Sequence, residues 1–165
     1  GWDYKGKDGA YSSGPHYTGI NGLRHLVGKN PAIVEEALRD SIHGYAPGQI
    51  SDEVGKRLAL FVTRGQQEVD HFIDPKSLRS FGDAGLGERI FQNVCAACHG
   101  FDGRALNFKS EENPEFVGTV AGVNPWEALH KIRNGHPGVP MPALRFLLLQ
   151  TLVDILAYAQ TLPEK

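Results

Sequence analysis

The sequence predicts an all-α fold, and two observations support this prediction. Apolar residues recur at the three- and four-residue spacing of amphipathic helices in several segments of the 165-residue chain. Two Asn-Pro pairs, Asn30-Pro31 and Asn124-Pro125, each place a preferred N-cap residue before a proline that suits the first helical position. Both halves of the chain are therefore predicted to consist of short helices joined by loops.

The first half of the sequence predicts two helices. The first helix begins at Asn30-Pro31 and is expected to stop at Gly44, and the second begins at Ser51, which suits an N-cap position. Helical spacing predicts a core face on each helix. The predicted core residues are Ile33, Val34, Ala37, Leu38 and Ile42 on the first helix, and Val54, Leu58, Phe61, Val62 and Val69 in a stripe on the second.

Asp74-Pro75 interrupts the helical pattern, because proline lacks a backbone N–H and restricts the residue before it. We therefore predict a helical domain over residues 1–74, a connector over residues 75–82 and a second helical domain over residues 83–165. Within the second domain we expect helices over 84–98, from Pro125 to Gly135 and from Leu144 to Leu162. Residues 100–123 contain several glycines and are expected to be mostly loop.

The composition is that of a globular protein and excludes some classes of partner. Hydrophobic residues make up 41% of the chain, the formal net charge is −2 and the sequence pI is about 6.4. Such a balance gives no reason to expect nucleic acid or an anionic membrane as a partner. No apolar run approaches the roughly 20 residues that a membrane span needs, so none is predicted.

The residues Cys95-Ala96-Ala97-Cys98-His99 form the pattern C-x-x-C-H, which is typical of the attachment site of a c-type haem. Two thiols separated by two residues reach the two vinyl groups of one haem, and the histidine is carried under the ring, where an imidazole nitrogen can bind the iron. The motif predicts one covalent haem c held by Cys95 and Cys98, with His99 as an iron ligand.

Two other interpretations use the same cysteines. A zinc site would need two more ligands, and histidines would have to supply both because the chain has no other cysteine. A thioredoxin-like redox pair would need a strand, a turn and a helix around the motif, whereas the flanking segments are predicted to be helical. Haem attachment is the interpretation that the sequence favours.

Met141 is the only methionine of the chain and is predicted to be the second axial ligand of the iron. It lies between Pro140 and Pro142 in a loop, where the prolines fix φ and Pro142 restricts Met141 to extended backbone. A stiff loop can hold a thioether against iron, and a methionine in such a loop is unlike a gap-filling core residue. His136, five residues earlier, is the competing ligand.

Residues 83–165 resemble a class I cytochrome c domain. The matching residues are Gly87 and Phe91 ahead of the Cys95–His99 motif, and then Ile132 to Gly135, Met141-Pro142 and Tyr158. In that family the first and last helices cross at a contact between a glycine and aromatic residues, and the resemblance makes Gly87, Phe91 and Tyr158 the candidates. Trp126 follows a predicted N-cap, and its indole N–H is a candidate donor to a haem propionate, with plain packing beside the haem as the alternative.

The resemblance also implies location and partners. Haem c is attached outside the cytoplasm in bacteria, so the chain is expected to be a mature, exported form that resides in the periplasm without its signal peptide. A redox protein is the expected partner, either a periplasmic dehydrogenase or a terminal acceptor. The chain is expected to be an electron carrier and not an enzyme, free or as the cytochrome subunit of an oxidoreductase.

The two halves share landmarks that suggest an internal repeat. Asn30-Pro31 matches Asn124-Pro125, Gly44 matches Gly135, and Ile50 takes the place of Met141. Ser12 to His16 lies where C-x-x-C-H would lie, without its cysteines. The pattern resembles a tandem two-haem cytochrome c whose first half has lost its haem site. Because an empty haem cavity would be costly, bulky residues are expected to fill it, namely Tyr17, Tyr45, Phe61 and Phe72.

Two other functions compete with electron transfer. A related enzyme would use a second haem or a cysteine on the iron, and the chain has neither a second C-x-x-C-H nor a spare cysteine. A haem-based gas or redox sensor would let a small ligand displace Met141, and the sequence leaves this alternative open.

The motif predicts one covalently bound haem, and therefore one iron, in each chain. Intact-mass measurement should give the chain plus one haem, and the haem should survive acid-acetone extraction because thioethers resist it. A Cys95→Ser, Cys98→Ser double variant is the control and should lose its haem under the same extraction. A second iron per chain, or extractable haem in the wild type, would contradict the prediction.

Overall fold

The computed structural model describes all 165 residues and is helical without β-strands. Only three isolated β-bridges occur, between Gly6 and Asn21, Ile73 and Ser80, and His136 and Met141. The predicted all-α class is confirmed. None of the helices has both the length and the apolarity needed to cross a lipid bilayer.

The chain divides into two compact units. Asp3–Glu68 form the first unit together with Gly1, and Val69–Lys165 form the second together with Trp2. The boundary between the two units therefore lies between Glu68 and Val69. The sequence predicted it a few residues later, at Asp74-Pro75. The predicted connector 75–82 belongs to the second unit, where residues 73–80 form a small hairpin. The Asp74 N–H donates to the Arg79 carbonyl at 2.8 Å, next to the bridge between Ile73 and Ser80.

The first unit contains two α-helices, α1 (Ala32–Arg39) and α2 (Asp52–Leu60), and α2 continues into a π-helical turn, Phe61–Gly65. Ser51 caps α2 as predicted, since its hydroxyl accepts from the Val54 N–H. Helix α1 ends at Arg39, well before Gly44. The Asp40 carboxylate accepts from the backbone N–H groups of Ile42 and His43, both at 2.9 Å, and turns the chain out of the helix.

The core of the first unit differs from the predicted one. The buried face of α2 and its π turn consists of small residues at four-residue spacing, Gly55, Ala59 and Thr63. Three residues of the predicted stripe lie outward, with Val54 47%, Leu58 38% and Phe61 39% exposed, whereas Val62 is half-buried and Val69 is buried as predicted. Small residues let another segment pack closely against this face, and the spacing of hydrophobic residues alone did not identify it as the buried face.

The expected cavity fillers of the first unit were also wrong. Tyr17 is 52% exposed and Tyr45 is 40% exposed, so neither belongs to the core, and Phe61 is likewise exposed. Phe72 is half-buried and belongs to the second unit. The buried hydrophobic side chains of the first unit are few, Tyr11, Val34 and Ala59.

The second unit contains five helices: α3 (Ala84–Ile90), α4 (Ala96–His99), α5 (Val117–Val123), α6 (Pro125–Asn134) and α7 (Leu149–Ala159). Helix α6 matches its predicted start and end. Helix α7 begins at Leu149 and not at Leu144, because Leu148 is in extended backbone. Buried residues of α6 and α7 form the core, with Leu129, Leu152, Ile155 and Leu156 at most 1% exposed.

Helix α5 lies in the segment predicted to be loop. Its sequence contains Gly118 and Gly122, which have low intrinsic helix propensity. Packing explains the helix, because a Cβ atom at Gly118 would lie 2.4 Å from the carbonyl oxygens of Leu162 and Pro163. Gly118 lowers the intrinsic helix propensity of α5, but the helix needs it to approach the C-terminal segment closely.

Helices α3 and α7 cross at the predicted glycine and aromatic contact. A Cβ atom at Gly87 would lie 1.9 Å from the carbonyl oxygen of Asp154, so the two backbones touch there. The rings of Phe91 and Tyr158 lie 5.4 Å apart beside the crossing, at an interplanar angle of 56°. The buried Asp154 carboxylate accepts from the Asp83 N–H at 2.9 Å and so joins α7 to the start of α3.

Replacing Gly87 by alanine should destabilise the second unit by about 1–3 kcal/mol or more, because the added methyl group overlaps backbone that cannot move aside. Urea unfolding of the haem-loaded protein measures the loss. The matched control is Gly85→Ala on the same helix, where the nearest atom to a new Cβ is a side-chain atom, the Asp83 carboxylate at 3.3 Å, which needs to give by only a few tenths of an ångström. That control should be neutral or stabilising by up to about 1 kcal/mol; equal effects of the two substitutions would contradict the close crossing.

Candidate haem site

The chain enters the cysteine motif through a widened helical turn. Helix α3 is followed by a π-helical turn, Phe91–Cys95, and then by α4, which ends at His99. The Asn93 side-chain amide donates to the Arg89 carbonyl at 2.6 Å and so joins the widened turn to the last turn of α3. π turns inside α-helices are rare and occur frequently at functional sites. This turn ends on the first cysteine of the motif.

Both cysteines are free thiols, and their environments differ. Cys98 is exposed and Cys95 is half-buried. Burial, with a smaller contribution from Cys98, raises the pKa of the Cys95 thiol to about 11. No group of three or more His, Cys, Asp and Glu side chains that could hold a metal ion occurs in the chain. The zinc interpretation therefore lacks its ligands.

The His99 imidazole is half-buried at the C-terminal end of α4. Burial lowers its pKa and so favours the neutral form, which is the form that binds a metal. Its Nδ1 atom is buried and has no hydrogen-bond partner, so the loop carbonyl that commonly accepts from such a nitrogen is missing here. The edge of the Phe108 ring contacts the imidazole, with the ring centroids 5.9 Å apart.

The turn after His99 is closed by hydrogen bonds. Gly100 has φ of +78°, which favours glycine, and the Ala105 N–H donates to the His99 carbonyl at 2.9 Å. The Gln92 side chain also reaches this turn, because its amide donates to the Phe101 carbonyl at 2.9 Å. Sequence reasoning missed Gln92, since nothing in its neighbours predicts a contact nine residues away.

Met141 lies at the end of a tight loop that starts at Gly135. The loop is closed by the β-bridge between His136 and Met141. Gly135 has φ of +72°, and a Cβ atom there would lie 2.5 Å from the Met141 carbonyl oxygen, so only glycine fits at this position. Met141 is half-buried, whereas His136 is exposed with its Nδ1 atom 2.9 Å from the Pro137 carbonyl. Of the two candidate ligands, Met141 has the less exposed position.

The indole of Trp126 is buried, with 4% of the residue exposed. Its N–H donates to the Asp70 carboxylate at 3.1 Å. An indole has one N–H to donate, so a haem propionate would compete with Asp70 for it. Sequence reasoning missed Asp70, which lies 56 residues from Trp126. The structure places both Trp126 and Met141 in the same unit as the cysteine motif, on other elements.

The residues present fit a haem. The second unit exposes large apolar side chains before and after the motif, and a flat apolar macrocycle could cover such side chains. They include Val94 at 48%, Phe101 at 77%, Leu106 at 45% and Phe108 at 44% exposed. Two free thiols, an imidazole that burial keeps in its neutral form and nearby apolar surface form the donor set and the environment that a c-type haem requires.

Comparison with known proteins agrees with this geometry. Residues 82–158 match the family described as cytochrome C oxidase, cbb3-type, subunit III. This segment, a little under half of the chain, is a cytochrome c domain, as the resemblance predicted. A cytochrome c domain implies haem and electron transfer. No curated protein and no solved structure matches the chain.

Replacing Met141 by alanine in the haem-loaded protein should remove the near-infrared band of sulfur-to-iron charge transfer and lower the reduction potential, because thioether ligation favours the reduced iron. Absorption spectroscopy and a redox titration measure the two effects. His136→Ala is the control from the same loop and should leave both unchanged. If His136 is the ligand, the wild type should lack this band, and the reduction potential should change in His136→Ala and not in Met141→Ala.

Proposed function

We propose that the chain is a periplasmic, monohaem c-type cytochrome that carries electrons to or from a redox enzyme, either as a free protein or as its cytochrome subunit. The observation that carries this proposal is the geometry of the motif. Cys95 and Cys98 lie as free thiols on one helical segment that ends in His99, and burial lowers the pKa of the His99 imidazole, which favours the neutral, metal-binding form.

The residues of the site have separate tasks in this proposal. Cys95 and Cys98 would hold the haem through thioethers, and His99 and Met141 would bind its iron. The haem supplies an iron that takes up and releases one electron. With both His99 and Met141 on the iron, no coordination site would be left for a substrate, so the site would carry electrons without transforming one.

The charges of the chain favour a partner contact that is largely apolar. Residues 80–165 carry seven Lys/Arg and nine Asp/Glu, so long-range steering is weak. Charges in the loop after His99 are paired locally, Arg104 with Asp102 at 2.8 Å and Lys109 with Glu115 at 2.6 Å. Between Met141 and α7 the chain exposes Phe146 at 80% and Leu148 at 78%. A periplasmic dehydrogenase or a terminal acceptor would dock on such apolar side chains; the matched family is described as an oxidase subunit.

The first half is proposed to be a cytochrome-like domain without haem. Ser12 and Pro15 stand where the two cysteines would stand, and Ile50 stands where a methionine would. Its histidines His16, His25 and His43 are exposed, and so is His71. Exposed histidines would not hold a second haem away from water. Gly44 and Gly135, the matched loop glycines, both have positive φ, of +60° and +72°. Such a half would serve as a docking surface for the partner.

Electron transfer to the partner should depend only weakly on salt and strongly on exposed apolar side chains. With an oxidoreductase co-purified from periplasm, we expect the rate to change by less than about threefold between about 0.01 M and 0.15 M ionic strength. Phe146→Ser should slow the reaction about tenfold, since a buried Phe contributes about 1.5–3 kcal/mol. Its neighbour Arg145→Gln is the control and should change the rate little. A steep salt dependence would contradict this contact.

Carbon monoxide separates the carrier from the sensor that the sequence left open. A carrier keeps Met141 on the iron, so the spectrum of the reduced protein should not change when the gas is added. Rapid binding of carbon monoxide would favour a sensor in which Met141 is displaced.

A further inference from the structure

Gln92 lies in the π turn three residues before Cys95, and its side chain joins two distant parts of the second unit. Its Nε2 atom donates to the Phe101 carbonyl at 2.9 Å and to the phenol oxygen of Tyr158 at 2.6 Å. A side-chain amide nitrogen carries two hydrogens, so these two acceptors use both of them. One half-buried side chain therefore ties the turn after His99 to helix α7.

The turn after His99 has few apolar anchors of its own. The Phe101 side chain is 77% exposed, and Asp102 and Arg104 are also exposed. Gly100 and Gly103 both have positive φ and add backbone freedom. Gly103 is buried against Leu162 and Val117 and holds the far end of the turn. At its centre, the carbonyl of Phe101 is held by Gln92.

The orientation of the His99 imidazole depends on the backbone around it, because the hydrogen bond that usually fixes such a ring is missing. A metal-binding histidine commonly donates its second ring N–H to a carbonyl or carboxylate, which fixes the ring. Here Nδ1 of His99 is buried without such a partner. The direction of the ring therefore depends on where the end of α4 and the following turn are held.

We infer that Gln92 is the positioning residue for His99: its hydrogen bond to the Phe101 carbonyl fixes the turn after α4 and thereby the plane of the imidazole on the iron. The bond to Tyr158 uses the other hydrogen of the Gln92 amide, and the turn is held without it. This inference rests on the proposed function, because it concerns His99 as a ligand of a bound haem. It adds a residue outside the motif to the haem site.

Three substitutions separate the two hydrogen bonds. Gln92→Leu removes both and keeps most of the side-chain volume. Gln92→Glu keeps a contact with Tyr158, whose hydroxyl can donate to the carboxylate, but it cannot donate to the Phe101 carbonyl. Tyr158→Phe removes the phenol oxygen and leaves the bond between Gln92 and Phe101 in place. If the turn is what positions His99, both Gln92 variants should differ from the wild type and Tyr158→Phe should not.

The measurements use the oxidised, haem-loaded protein. NMR should show shifted His99 ring-proton resonances in Gln92→Leu and Gln92→Glu, since the iron's unpaired electron makes these protons sensitive to the imidazole plane. The second readout is hydrogen exchange of the Ala105 amide, whose N–H donates to the His99 carbonyl. Its exchange rate should rise about tenfold in both Gln92 variants, which corresponds to about 1.4 kcal/mol. In Tyr158→Phe the rate should stay within about twofold of the wild type.

Unchanged His99 resonances in both Gln92 variants would overturn the inference even if those variants are less stable. Equal shifts in Tyr158→Phe would also overturn it, because they would place the effect in α7 and not in the turn. A wild-type protein that carries no haem would instead refute the proposed function, and this inference with it. Intact mass of the wild type, measured first, separates the two cases.

Discussion

The backbone contact between α3 and α7 at Gly87 is the constraint on which the rest of the second unit depends. Because no side chain separates Gly87 from the Asp154 carbonyl, the two helices have one possible spacing at this point. The Phe91 and Tyr158 rings and the Asp154 carboxylate then determine their direction. Since α3 leads through the π turn into Cys95, the crossing also determines where the cysteine motif begins relative to the core.

Sequence reasoning was most successful where the signal is local. The Asn-Pro pair predicted α6 to within a residue, and Ser51 caps α2 as its side-chain chemistry requires. The C-x-x-C-H motif predicted the cytochrome c domain, which the family match over residues 82–158 confirms. Each of these features depends on residues within about one helical turn of each other.

Most of the failures involve contacts that are distant in sequence or residues that act against propensity, and the early end of α1 is a local exception. Asp40 ends α1 early by binding two backbone N–H groups. Helix α5 forms despite two glycines, because the C-terminal segment packs where a Cβ would stand. The buried face of α2 is made of Gly55, Ala59 and Thr63, which hydropathy ranks below the exposed Val54 and Leu58. Contacts of Gln92 and Asp70 span many residues, and no pattern in one sequence reveals them.

The π turn at Phe91–Cys95 makes this segment tolerant of a shorter chain and intolerant of a longer one. A π turn holds one more residue than an α-helical turn, so loss of one residue between α3 and Cys95 would let the helix return to regular geometry. Each residue of an α-helix accounts for about 100° of rotation, and the relaxing turn would absorb that rotation, so both thiols and the imidazole would keep their direction. An added residue would turn all three groups away together, because the helix crossing at Gly87 cannot rotate to compensate. Natural variants of this segment should therefore be shorter by one residue more often than they are longer.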